Sequence, residues 1–163
     1  MRIIGVDPGL VTTGYGVIDV KGRSHVAVEG GFSKTKASDA LEFRLKAIHQ
    51  DIREVIEEHK PNVMAVEDLH VRYRNLKTAI IMGHARGVAV LAAGEAGIPV
   101  FHYEPTRAKN LVTGSGRADK EQVQRAVAVH LRLPGIDNEH VADAFSIAIC
   151  HAMMSDSPVA NAS

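Results

Sequence analysis

The chain has 163 residues, of which 45% are hydrophobic and 23% charged, and its 19 basic and 19 acidic side chains give a formal net charge of +0. That length supports one domain with a sizeable core, and the single cysteine, Cys150, excludes an internal disulfide and fits a reducing cytoplasm. No apolar run reads as a membrane span, and no secretory leader is expected, because the chain enters a strand at once.

Ile3, Ile4 and Val6, with Gly5 among them, form a short apolar run stopped by Pro8-Gly9, which reads as a buried strand. Asp7 ends it. A carboxylate there is costly unless paired, and the carboxyl edge of an open α/β sheet is where such folds place their sites. An Asp-Pro-Gly turn can also be nothing more than a turn, so Asp7 gains weight from its companions. Residues 13–20 and 24–32 are rich in β-formers around a Lys21-Gly22 turn, and complete an antiparallel meander.

The first helix is predicted over 38–59. Leu41, Leu45, Ile48, Ile52, Val55 and Ile56 make one apolar stripe, Asp39 and Glu42 have capping-box spacing, and Pro61 forces an end. Asn62 to Val66 is a second buried strand, running into Glu67. A long helix follows over 76–96. Its Gly83, Ala85, Gly87, Ala89, Ala92, Ala93 and Ala96 allow close packing, either onto the chain's own sheet or across a dimer interface. Then come a strand over 98–103, a short helix over 105–112 and the loop Thr113–Arg117. A helix opened by an Asp119/Gln122 capping box runs to Pro134-Gly135, and a last helix covers 138–154. Cys150 lies in an apolar stretch of that helix and reads as a core thiol. Residues 155–163 are small and polar and are expected to be disordered. The order predicts one α/β domain over 1–154, a mixed sheet with helices on both faces.

His140 and Asp143 stand three apart on the last helix and so share a face. With Asp7 and Glu67 they make a donor set for hard divalent cations, Mg²⁺ or Mn²⁺, the imidazole tilting it toward Mn²⁺. Two such ions could activate a water and stabilise the leaving oxygen of a phosphodiester. A His-x-x-Asp pair alone is as readily a surface pair. The neutral charge argues against a nucleic-acid binder only if it is evenly spread, and it is not. Residues 70–77 carry Arg72, Arg74 and Lys77 without an acid; residues 105–132 carry Arg107, Lys109, Arg117, Lys120, Arg125 and Arg132 against Asp119 and Glu121.

Gly5-Val-Asp-Pro-Gly9, Ala65-Val-Glu67, Gly83-His-Ala-Arg-Gly-Val-Ala89 and Ala142-Asp-Ala-Phe-Ser-Ile-Ala148 together resemble the RuvC family of bacterial Holliday-junction resolvases, in the same order over residues 1 to about 151. The resemblance implies a ribonuclease-H-like fold with a five-stranded sheet, a two-fold homodimer, and metal-dependent nicking of two opposed strands of a four-way DNA junction in recombination and repair. The ends left would be 5′-phosphate and 3′-hydroxyl. It implies Asp7, Glu67 and Asp143 as catalytic metal ligands. The position where many members have a fourth carboxylate is His140 here, which can still bind metal or act as a base. Lys109 and Lys120 match positions near the scissile phosphate, and Arg107 and Arg117 are weaker candidates for backbone contacts. His70 or Tyr73 stands where the family stacks an aromatic in the junction centre. RuvA and RuvB are implied as branch-migration partners.

Three rivals share the pattern. An actin-like ATPase would need a second such domain. A ribonuclease H acting on hybrids would want a carboxylate on the first helix, and Glu42 is the candidate. A non-catalytic junction binder would have lost one of the acids.

Overall fold

Alternation along the first strand divides the molecule into two layers. In the structure, a computed structural model described over residues 1–69 and 76–155, β1 (Arg2–Asp7), β2 (Thr12–Lys21) and β3 (Ser24–Lys34) form the meander. They are followed by α1 (Leu41–His59), β4 (Val63–Glu67), α2 (Leu76–Glu95) and β5 (Val100–Tyr103). Three helices close the chain: α3 (Pro105–Thr113), α4 (Lys120–Leu131) and α5 (Glu139–Ser155). The sheet has five strands in the order β3-β2-β1-β4-β5. The β1–β2 and β2–β3 pairs are antiparallel, and β1–β4 and β4–β5 are parallel. This is the predicted mixed sheet.

Side chains of a strand alternate between faces. Ile4 and Val6 look to one face, where they pack with Val17, Met64 and Val66 against Ile48, Ile52, Val55 and Ile56 of α1 and the alanines of α2. Ile3 looks to the other, with Ile18 and Ala65, against α3, α4 and α5. Gly5 and Asp7 share the parity of Ile3 and therefore lie under α5. That helix is buried almost all round from Val141 to Ala152, and Cys150 is fully buried. Burial pushes its thiol up to about 11, which suits a core residue.

Two details differ from the sequence reading. α1 begins at Leu41, with Ala40 as its N-cap and no side-chain cap. Asp39 lies one residue outside, its N–H spent on Lys36 O (3.1 Å). The helix start is fixed instead by Arg44, which donates to Thr35 Oγ1 (2.9 Å) and Leu10 O (3.3 Å). α4, by contrast, has the full predicted capping box, Asp119 with Gln122. Finally, α2 is long and apolar enough, by length and composition, to cross a membrane. Here its Ala85, Ala89, Ala92 and Ala93 are buried in the layer with α1. The predicted tail over 155–163 falls, beyond Ser155, outside the described residues.

Candidate active site

Two strand ends and one helix start make the site. Parallel pairing sets Gly5 beside Ala65 and Val6 beside Val66. One step on, Asp7 and Glu67 end adjacent strands, both on the α5 face. α5 reaches them because the strands under it lack side chains: a Cβ on Gly5 would stand 2.0 Å from Ala144 O, and one on Gly14 would stand 2.2 Å from His140 O. Asn138 starts α5, accepting from the N–H of His140 (2.9 Å) and of Val141 (3.2 Å). The i, i+3 spacing then turns His140 and Asp143 together toward the sheet edge. His140 Nδ1 lies 2.9 Å from Asp7 Oδ2. At the β1 end, Thr13 Oγ1 donates to Gly9 O (2.7 Å) and accepts from Gly9 N (3.3 Å), which pins the turn after Asp7.

The cluster holds more negative charge than it can easily keep. Burial, then the charges of Asp7 and Asp143, push the Glu67 carboxyl up to about 8, against the opposing pull of Lys109 and His140. Burial and Asp7 push Asp143 up to about 6, and Lys109 and His140 again oppose. His140 is raised, first by its hydrogen bond to Asp7. Oxygen-rich donors around an uncompensated negative potential fit a hard divalent cation. No three of these four groups offer ligand atoms all within 4.8 Å of one another; among the described residues that holds for Glu29, Glu58 and His59, which could also hold a cation. That second group lies by α1. Glu29 there already accepts from the Tyr15 hydroxyl (2.8 Å) and pairs with His59 Nε2, tying the end of α1 to β3.

The predicted basic residues separate. Lys109 on α3 is felt by both Glu67 and Asp143. Arg107 is about 200° away around the same helix and is felt instead by Tyr103 and Cys150, so the structure does not bring it to the acids. Lys120 opens α4 and pairs with Glu139, the neighbour of His140. Arg117 is exposed in the loop before α4, and Lys77 is exposed at the start of α2. His70, Arg72, Tyr73 and Arg74 lie outside the described residues. Glu42 is exposed on α1 and is not among the charges that shift Glu67, Asp143 or His140, which removes the hybrid-nuclease carboxylate.

Two residues were not foreseen. Arg86 donates to Glu67 O (3.1 Å), pairs with Asp68 (3.2 Å) and meets His102 Nδ1 (2.6 Å), clamping the ends of β4 and β5. An arginine inside an apolar, small-residue helix was the available signal. Glu139, the partner of Lys120, had no comparable signal.

Residues 3–151 match the family model described as "Crossover junction endodeoxyribonuclease RuvC". A protein of Rhodopirellula baltica with that description is 47% identical over 158 residues, covering 96% of this chain and 89% of its own. The structure of Thermus thermophilus RuvC in complex with a Holliday-junction substrate superposes with a TM-score of 0.89 at 36% identity, covering 95% of this chain and 94% of that one. The structure of Thermus thermophilus RuvC gives a TM-score of 0.86 at 34% identity, covering 95% of each chain.

Proposed function

The chain belongs to the RuvC family, and on that premise we propose that it resolves four-way DNA junctions by nicking two opposed strands at the acids of the β1 and β4 ends. As a member it is an endodeoxyribonuclease, a hydrolase of phosphodiester bonds. The observation that carries the site assignment is the convergence of Asp7, Glu67, His140 and Asp143 on one sheet edge, with Lys109 as a cation that both half-buried acids, Glu67 and Asp143, feel. Those four residues would hold Mg²⁺ or Mn²⁺. The metal, when bound, supplies an activated water and charge to stabilise the leaving oxygen.

The chain's own residues do the rest. Asp7 holds His140 through Nδ1 and so fixes the ring, leaving Nε2 as the atom that can take a metal or a proton. Glu67 and Asp143 hold protons more tightly than exposed acids, and shed them to bind a cation. Lys109 offsets the acids' charge from α3 and faces the scissile phosphate. Lys120 reaches the same phosphate on leaving Glu139. Arg86 keeps the Glu67 backbone in place.

The proposal includes a two-fold homodimer. A junction presents two equivalent strands, and a two-fold dimer presents two equal sites. α2 offers an outward stripe for it: Leu76, Ile80 and Leu91 are 74%, 54% and 53% exposed, and a Cβ at Gly87 would meet nothing within 4 Å. The alanines serve the chain's own core, and in this proposal the outer stripe serves the dimer. By the same premise RuvA and RuvB are proposed partners, and the cytoplasm the proposed location.

The test is a nicking assay on a synthetic four-way junction, with Mg²⁺ and Mn²⁺ in parallel, for wild type and Asp7→Asn. Paired symmetric nicks that vanish in the variant are expected. Wild type that binds the junction and nicks it with neither metal would overturn the proposal in favour of a shape-reading binder.

A further inference from the structure

At the opposite end of the sheet from the acids lies a cleft of about 870 Å³. The turn between β2 and β3 contributes Arg23 and His25 to its lining, the end of α4 contributes His130 and Arg132, and Leu131 and Met153 are among its apolar residues. The thirteen-residue step along α5 from His140 to Met153 puts it about 20 Å from the catalytic end, at 1.5 Å per residue.

Its composition is unlike that of the chain. Acids and bases balance overall, yet among the described residues the lining holds two arginines and two histidines and no carboxylate. Among the described residues neither the Arg23 nor the Arg132 guanidinium has an ion pair or a side-chain hydrogen bond. Arg132 is also the left-handed C-cap of α4, at φ 55. Glycine is the usual residue at such a cap. A cation suits a helix C-terminus, which accounts for Arg132 but not for Arg23 on the facing turn. Unpaired guanidinium forks match phosphate oxygens two at a time. The volume lies within the range of small-molecule sites, about 300–1,000 Å³.

We propose that this cleft is a second binding site, for a phosphate-bearing small molecule of mononucleotide size. Its phosphate would sit between Arg23 and Arg132, and its less polar part against Leu131 and Met153. The site is separate from the junction-cutting acids and does not depend on their assignment.

Calorimetric titration of the full chain in EDTA, with ATP, inorganic pyrophosphate and adenosine, tests it. ATP and pyrophosphate are expected to bind and adenosine not to. Arg23→Ala and Arg132→Gly should each weaken ATP binding by about tenfold, the worth of a charged hydrogen bond, and Arg23→Lys should keep part of it. Glycine fits the left-handed backbone at 132, so that variant should melt like wild type, and junction nicking should be unchanged in all three. No binding of ATP or pyrophosphate at millimolar concentration overturns the proposal. So does binding that ignores the substitutions. Variants that bind ATP normally but lose affinity for junctions with lengthened arms would assign the cleft to the DNA backbone instead.

Discussion

The two faces of the sheet are built on opposite terms. On the α1 and α2 face, Ile4, Val6, Val17 and Met64 interlock with Ile48 and Ile52, all fully buried, and contact between the sheet and α1 is made by large side chains. On the α5 face the strands offer Gly5 and Gly14 beneath the helix backbone, and contact is made by close approach. One strand, β1, serves both by alternation. The difference explains where the acid cluster sits. A helix held away by isoleucines could not bring His140 to within 2.9 Å of a strand-end carboxylate. A layer of side chains can adjust to a change in one of them; backbone against backbone has no such slack.

Gly14→Ala should therefore have the largest effect. Its Cβ would meet His140 O at 2.2 Å, and neither partner is the flexible end of a side chain. The start of α5 must lift, taking His140 and Asp143 with it. A loss of about 3 kcal/mol in denaturant unfolding is expected, with nicking down by about 10²-fold, the cost of an ångström-scale misplacement. Wild-type nicking by Gly14→Ala would show that α5 does not owe its position to the glycine floor.

Glu67→Gln should move stability and activity in opposite directions. The acid's ordinary value is 4.5 and the fold raises it to about 8. Between those values the native state binds the extra proton, so without metal this group's contribution to stability falls as pH rises through that window. A tenfold change in proton affinity between the folded and unfolded states is worth about 1.4 kcal/mol. Allowing for relaxation of its neighbours, Glu67→Gln should stabilise the metal-free protein by about 2 kcal/mol at pH 8.5, and by almost nothing at pH 4. It should also abolish nicking. Mg²⁺ should raise the wild-type Tm more at pH 8 than at pH 5, and lose most of that effect in the variant. Melting curves with and without EDTA read all of this.

On the other face the same logic predicts a modest and purely structural effect. Ile52→Val trims one methylene from a fully buried stripe residue and should cost about 1 kcal/mol. Nicking at 25 °C should be unchanged, because α1 carries no group that the acids feel. An activity loss comparable to that of Gly14→Ala would erase the distinction between the faces.

How much of this could be read from the chain follows the same division. Strand parity and helical spacing are local, so β1, β4, the α1 stripe and the grouping of Asp7, Glu67, His140 and Asp143 were legible. Arg86 was named within a motif but its task was not, because its partners lie on β4, β5 and the segment after Glu67. Arg107 and Lys109 look equivalent in a basic stretch until α3 is docked, when one turns to Cys150 and the other to the acids. The far cleft joins a hairpin turn to the end of a helix a hundred residues later, and no local signal links them.

The smallest effect concerns two stretches that look alike on paper. Asp39-x-x-Glu42 and Asp119-x-x-Gln122 have the same spacing, one before the helix of the aliphatic face and one before α4 on the α5 face. Only the second is a box: Asp119 Oδ1 accepts from Gln122 N (2.8 Å) and Gln122 Oε1 accepts from Asp119 N (2.9 Å). A cap works only from the residue flanking the first turn, and tertiary contacts of Arg44 set the N-cap of α1 at Ala40, one residue beyond Asp39. Asp119→Ala should thus cost about 1 kcal/mol. It should also loosen the turn that places Lys120 beside Glu139, slowing nicking without abolishing it. Asp39→Ala should stay within about 0.5 kcal/mol of wild type, as exposed substitutions away from such features do. Equal costs would mean that α1 frays back to Asp39 in solution, and that its start is set by local capping after all. Unequal costs would mean that sequence spacing proposes a helix start, and that packing decides which residue is allowed to keep it.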